Sequence, residues 1–298
     1  MKYICEEEID KLNISPIDMV KWVDETLRAK QDSVLPPKIS MKQENHIFYN
    51  IMPCIMPSLG LAGVKAVNRY PQREQSLKSN LMLYDYKSGD LKAIMDADWI
   101  TTWRTAAVAV HSIKLLAVKN YSSIAFLGLG VVGQAILDVY IKTLDKDVSI
   151  RILNYKDRAQ DIIDKYSSYK NIKWGKYDDY NELVKDCDVV ISAVTYTEDD
   201  FADAKIYKKG CLLVPVHTRG FKQCDLCFDK IFGDDKGHIE GFEFFDKFKS
   251  FNEVSDILNG KCNGRETDEE RIIAYNIGIA LHDIVFANKI YELVINKK

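Results

Sequence analysis

Ile124-Ala-Phe-Leu127-Gly128-Leu-Gly130-Val131-Val132-Gly133-Gln-Ala-Ile-Leu-Asp-Val-Tyr140 is an apolar run, a glycine-punctuated turn and an apolar helical pattern in direct succession. Each glycine in a strand–turn–helix of this kind has its own physical task. Gly128 allows the tight turn, Gly130 lets backbone N–H groups approach a pyrophosphate, and Gly133 lets the helix pack closely. The anion would sit at the positive end of the helix that follows. Val131 and Val132, inside the turn, complete the expected dinucleotide contacts at this point.

Downstream of the turn, short β-rich runs alternate with amphipathic helical stretches: Ile124–Leu127, Val148–Leu153, Val189–Ser192, Cys211–Val214 and Lys230–Phe232. Such alternation predicts a parallel, doubly wound α/β sheet of Rossmann type, here over residues 121–269. An acid at the end of the second strand would take the ribose hydroxyls of NAD. Asn154 stands there instead, followed by Lys156 and Arg158, which favours NADP(H) over NAD(H); Asp157 keeps NAD(H) as the alternative. A helical pattern from about Asp268 to Ile295 follows the last of these strands and is expected to pack back on the first domain.

Upstream the pattern is mixed α+β. Ser15, Pro16 and Asp18 form a helix start, with an N-cap, a proline where no N–H is needed and an acid in the first turn. That helix would run to about Lys30. Strands are expected at His46–Ile51, Leu61–Val67, Leu81–Asp85 and Leu91–Met95, the last two flanking the hairpin signal Lys87-Ser-Gly-Asp90. From Ile100 to Val118 runs an Ala-rich stretch, apolar on most faces, expected as a buried helix. Residues 1–120 and 270–298 are thus expected to form one discontinuous domain.

The 298 residues suffice for two domains at roughly 150 residues each. A net charge of −3 offers no basic excess for nucleic acid or anionic lipid. The acidic N-terminal ten residues do not read as a signal peptide, and no apolar run is long enough for a membrane span, so the chain reads as cytosolic. Seven scattered cysteines suit buried thiols in a reducing compartment. Cys224 and Cys227 make one Cys-x-x-Cys with no second ligand pair, so no metal site is expected.

Asp98-x-x-Thr101-x-x-Arg104-Thr-Ala-Ala107, Met52-Pro53, Gly63-Val-Lys65 and Gly278-Ile-Ala-Leu-His-Asp283 stand in order around the glycine turn. With them, nearly the whole chain resembles the ornithine cyclodeaminase and mu-crystallin family. That family includes imine (ketimine) reductases, alanine dehydrogenases, opine-like dehydrogenases and cyclodeaminases. The resemblance implies that Arg104 pairs with a substrate α-carboxylate. Physical reasoning agrees: a guanidinium in an apolar helix needs an anion, and its planar fork suits a carboxylate; a structural Asp or Glu is the other partner it could have. Lys38, after Pro36-Pro37, stands where many relatives carry a carboxylate-binding arginine, and Met52 belongs to the same expected substrate set. Lys65 lies among apolar and small residues on a strand, where burial lowers an ammonium pKa and suits it to proton exchange with an amine or imine; its alternative is a packed stem with the head in water. In the family this lysine faces substrate and nicotinamide. Ser192, Ala193 and Thr195, with Val216, fall where relatives contact the nicotinamide end. Relatives also imply a homodimer built through the first domain.

One position departs from the cyclodeaminases. They carry an acid after the fifth Rossmann strand, and in Leu213-Val-Pro-Val-His217-Thr-Arg219-Gly220 an arginine takes that place. Arg219 stays protonated and cannot serve as a carboxylate base; His217 or Asp225 would be the other proton carriers. Arg104, Lys38 and Arg219 facing one site would suit a substrate with a second carboxylate. The expected function is therefore an NAD(P)-dependent oxidoreductase acting on a small amino or imino acid. The alternatives are an ammonia-eliminating cyclodeaminase that recycles its cofactor and a mu-crystallin-like binding protein without turnover.

Overall fold

A computed structural model describes residues 1–155, 158–194, 197, 199–216 and 221–296. The chain forms two compact units, Met1–Ala107 with Gly278–Lys298, and Val108–Ile277.

In the first unit, β1 (Lys2–Ile4), β2 (Ile39–Lys42), β3 (Phe48–Met56), β4 (Leu61–Arg69), β5 (Leu77–Asp85) and β6 (Leu91–Asp96) form one sheet in the order β1-β6-β5-β4-β3-β2. Only β1 joins parallel; the other pairs are antiparallel. Side chains alternate across the sheet, and Met52, Cys54, Met56, Lys65, Val67, Leu81, Leu83, Ala93 and Met95 are all buried. The helix Ala280–Asn296 packs against β3, β4 and β5. Gly63 permits this approach, since a Cβ there would fall 2.3 Å from Ile284 Cδ1. The same helix packs on α2 (Pro16–Arg28), where Trp22 meets Phe286 edge to face at 5.1 Å. Ser15 caps α2 as its sequence predicts, accepting from the Ile17 N–H at 3.2 Å. The short α1 (Glu6–Asp10) precedes it, and α3 (Asp98–Leu116) leaves β6, with residues 104–113 all buried.

In the second unit the order of elements is β7 (Ser123–Leu127), α4 (Val131–Lys142), β8 (Val148–Leu153), α5 (Ala159–Lys165), β9 (Ile172–Tyr177), α6 (Tyr180–Val184), β10 (Val189–Ser192), β11 (Leu212–Pro215), α7 (Lys222–Cys227), β12 (Lys230–Gly233), α8 (Lys236–Ile239), β13 (Phe251–Glu253), α9 (Val254–Leu258) and β14 (Ile272–Tyr275). All eight strands are parallel, in the order β13-β12-β14-β11-β10-β7-β8-β9. Strands β7, β10, β11 and β14 are buried along their whole length, as a parallel sheet covered on both faces requires. The second unit thus has the doubly wound fold that the sequence predicts, and the first is the mixed α+β unit.

The two departures are local. The helical pattern expected from Asp268 is broken: Ile272–Tyr275 is β14, and the final helix, α10, begins only at Ala280. A four-residue apolar run inside a sheet carries no periodicity to separate it from helix, and neighbours β11 and β12 decide it. Four more strands of three to six residues (β1, β2, β9 and β13) escape a reading based on apolar runs because polar residues interrupt them. No described helix is long and apolar enough to cross a membrane.

Candidate active site

The chain's three-glycine turn lies where the strand order reverses, because β7 has β8 on one side and β10 on the other. In open α/β sheets, ligands settle outside the carboxyl ends of the strands at such a switch point. Gly128 takes φ +83°, and a Cβ on it would meet Val194 Cγ2 at 2.9 Å. At Gly133 a Cβ would lie 2.0 Å from the Gly128 carbonyl oxygen, so only glycine lets α4 start there. Gly130 is the N-cap of α4, makes no side-chain cap, and has nothing within 4 Å of where a Cβ would be. A helix N-terminus with uncapped N–H groups and open space above it is an anion site. It opens on a pocket of about 870 Å³ whose lining includes Gly128, Gly130, Leu153, Tyr155, Arg158 and Phe201. The turn, the open N-terminus and the pocket beside them fit a dinucleotide.

The other residues expected at the cofactor are distributed unevenly. Ala193 lines the pocket with Gly128, Gly130 and Arg158. Val131 is 75 % exposed on the first turn of α4, with Val132 half-buried beside it. Asn154 donates from Nδ2 to Asp178 Oδ1 at 3.1 Å, placing a carboxylate beside the end of β8. Ser192 is fully buried, and its hydroxyl has no hydrogen-bond partner among the described residues. Val216 continues β11, its N–H donating to the Ser192 carbonyl at 2.8 Å. Lys156, Thr195, His217 and Arg219 lie outside the described residues. The pocket also takes Tyr155, Tyr180 and Phe201, aromatic residues with no spacing signal in the sequence.

In the first unit, three helix and strand positions meet around one carboxylate. Lys65 Nζ, on β4, lies 2.7 Å from Asp283 Oδ1 of α10, and Arg104 Nε, on α3, donates to the same oxygen at 2.9 Å. All three side chains are buried, at 4 % exposure or less. Lys65 also donates to Thr101 Oγ1 at 3.3 Å, and that hydroxyl shares a 3.1 Å hydrogen bond with Ser79 Oγ. Asp98, in the first turn of α3, accepts from the Ser79 N–H at 2.6 Å and locks the helix start to β5. Thr101 and Arg104, three residues apart on α3, are neighbours on the helix surface. Met52 pairs with Lys65 across β3 and β4 and is buried on the same side.

The electrostatics follow from burial. Loss of water pushes the Lys65 ammonium down to about 8; Asp283 works against the shift, and Arg104 and Lys38 add to it. Burial alone would raise Asp283, but Arg104 and Lys65 outweigh it and hold the carboxyl below its usual range. Asp283 Oδ2 has no partner among the described residues, and the bond that Arg104 makes among them runs through Nε, not through its two terminal nitrogens. The guanidinium is thus held sideways by Nε, with its fork unshared. Lys65 and Arg104 share one oxygen of Asp283, and the Lys38 charge is near enough to act on Lys65, an excess of positive charge that favours an added anion.

Both partners foreseen for Arg104 bear on this site: the structural acid is present as Asp283, and the fork is still available. Asp283 stands within a motif whose spacing alone assigns it no task. An acid inside the apolar stretch Ile277–Ala287 is the signal that could have found it, since such a charge needs a buried partner. Asp225, the other candidate acid, is buried and accepts from the Tyr275 hydroxyl at 2.7 Å.

The sequence pattern of the ornithine cyclodeaminase/mu-crystallin family matches residues 3–298. A Delta(1)-pyrroline-2-carboxylate reductase of Bacillus cereus is 26% identical over 266 residues, covering 81% of this chain and 80% of its own. The Delta(1)-pyrroline-2-carboxylate reductase of Thermococcus litoralis, solved with NADH and L-proline, superposes with a TM-score of 0.87 at 21% identity over 100% of this chain and 98% of that one. An archaeal alanine dehydrogenase dimer with bound NAD superposes with a TM-score of 0.85 at 23% identity, covering 99% and 96%.

Proposed function

The chain belongs to the ornithine cyclodeaminase/mu-crystallin family, and from that premise we propose that it is an NAD(P)-dependent oxidoreductase of small amino or imino acids. The observation that carries this reading is the unshared fork of Arg104 beside the buried Lys65. Arg104 would bind the α-carboxylate, with Met52 against the substrate and Lys38 as a second cation for an acid bearing another carboxylate. Bound at the Gly128–Gly133 turn, a nicotinamide dinucleotide supplies or accepts the hydride at the substrate α-carbon. Lys65 handles the accompanying proton. With its pKa at about 8, roughly nine in ten copies are ammonium at pH 7, so it donates readily to an imine nitrogen and recovers a proton readily from solvent.

NADP(H) remains the favoured dinucleotide in this proposal, because Arg158 lines the pocket and Asn154 replaces the usual acid. Asp178, bonded to Asn154, works in the other direction. The relative solved as a dimer supports a homodimer here as well. The outward face of the first sheet fits that assembly, with an apolar groove that includes Val34, Pro53, Ile55, Val64 and Tyr84.

The test is a panel of cyclic imino acids, and of 2-oxo acids with ammonia or amines, incubated with NADPH or NADH while the reduced-nicotinamide absorbance is followed. Ammonia release from ornithine is assayed in parallel. Net cofactor oxidation with a carboxylate-bearing imine is expected. Ammonia release without net cofactor change would replace the proposal by the cyclodeaminase reading, and silence in every arm would leave a binding protein.

A further inference from the structure

We propose that Asp283 is the positioning residue that holds Lys65 as an ammonium at neutral pH, so that the last helix of the chain sets the proton available to the substrate nitrogen. The proposal rests on the reading of Lys65 as the proton carrier. Its basis is geometric. Lys65 projects from the middle of a sheet into a space where it is 1 % exposed, and its charged neighbours are Arg104 from α3 and Lys38 ahead of β2, both of its own sign. Asp283 is the carboxylate among the described residues that pairs with it, and one oxygen of Asp283 takes both Lys65 and Arg104.

The remaining described groups facing this pair do not supply a negative charge. Cys54, from β3, faces Asp283 as a thiol kept protonated by burial and by the carboxylate itself. His282 adjoins Asp283 on α10 and adds a favourable interaction with the carboxylate. The Thr101 hydroxyl accepts from an ammonium or donates to a neutral amine, so it holds Lys65 in place in either state without choosing between them. Removing the Asp283 charge would leave a buried ammonium among like charges with no counter-ion. Under those conditions a lysine loses its proton.

In the reductive direction the imine carbon gains a hydride and the C=N electron pair moves to nitrogen. The nitrogen takes a proton from the Lys65 ammonium, and the neutral amine left on Lys65 is reprotonated from solvent. A Lys65 already neutral at pH 7 has no such proton to give.

The experiment compares wild type with Asp283→Asn and Asp283→Glu. Lysine Cε resonances are followed by 13C NMR against pH, with the Lys65 signal assigned by its absence in Lys65→Met. Dinucleotide Kd and thermal melting report whether each variant is folded. In Asp283→Asn the Lys65 midpoint is expected to fall by about one pH unit or more, and in Asp283→Glu to return part of the way. The alkaline limb of the imine-reduction profile should move down with it. Above both midpoints the deficit against wild type would then be about tenfold for each pH unit by which the midpoint has fallen, and it would shrink on acidification. A folded Asp283→Asn protein with an unmoved Lys65 midpoint would overturn the proposal, as would a deficit equal at every pH. If Asp283→Asn does not fold, wild type and Asp283→Glu still decide: a wild-type Lys65 neutral at pH 7, or a glutamate variant whose Lys65 midpoint shifts without moving the alkaline limb of its imine-reduction profile, overturns it. The NMR titration needs no turnover, so a substrate panel without activity would refute the oxidoreductase reading while the role of Asp283 is judged separately.

Discussion

Replacing Gly130 by alanine separates what the turn does for the ligand from what it does for the fold. Gly130 has φ −71° and ψ −166°, a conformation open to any residue, and an added Cβ meets nothing within 4 Å. The free protein should therefore be unchanged or more stable by about 0.4–1 kcal/mol, since alanine restricts the unfolded chain. The new methyl group occupies the space from which a pyrophosphate would reach the first N–H groups of α4. Losing even one charge-assisted hydrogen bond costs about 1.5–3 kcal/mol, or roughly 10- to 150-fold in Kd. Gly133→Ala should behave in the opposite way. Its Cβ would sit 2.0 Å from the Gly128 carbonyl oxygen, which is backbone and must move by more than about 1 Å, so both melting temperature and dinucleotide binding should fall. Fluorescence titration with NADH and NADPH gives Kd, and thermal melting of the free protein gives stability. A Gly130→Ala protein that binds both nucleotides within about threefold of wild type, some 0.7 kcal/mol, would refute the placement of the pyrophosphate over this turn.

Arg104→Lys keeps a charge near Asp283 but loses the fork, so KM for the acid should rise about 10- to 100-fold while dinucleotide Kd, read by titration, stays put. Arg158→Ala should weaken NADPH, measured the same way, by about 1–2 kcal/mol and spare NADH; equal effects on both would remove the support for NADP(H). Burial pushes Asp225 up to about 7. Between about pH 4 and 7 the folded state thus holds a proton that the unfolded chain has released, and the associated stability is present at low pH and lost as pH rises through 7. Asp225→Asn, which keeps an acceptor for the Tyr275 hydroxyl, should be more stable than wild type by about 1–2 kcal/mol at pH 8, with the gain vanishing toward pH 4 in urea titrations. Val64→Asp, on the outward face of the first sheet, should convert a dimer to monomer in sedimentation analysis without loss of melting cooperativity; a dimer that survives this charge assembles elsewhere.

The doubly wound unit was readable because its signals are local. Ile124–Leu127, three glycines and an apolar helix lie within one short stretch, and each glycine answers to a backbone constraint that the structure reproduces at Gly128 and Gly133. The Ser15–Pro16 helix start and the Lys87–Asp90 hairpin were legible for the same reason, being set by a few adjacent residues. Ile272–Tyr275 is not legible as a strand because four apolar residues have no period, and only pairing with β11 and β12 makes them one.

The charged site divides along the same line. Sequence by itself determined that Lys65 and Arg104 stand in apolar surroundings, where a charge must find a partner. It could not determine the partner, because Asp283 is 179 residues from Arg104 and further still from Lys65. Only the packing of α10 on β4, through the space left at Gly63, brings one carboxylate oxygen within reach of both cations. That tertiary contact decides which nitrogens of Arg104 stay open and how firmly Lys65 keeps its proton, since desolvation and charge pairing act through distance in space rather than along the chain.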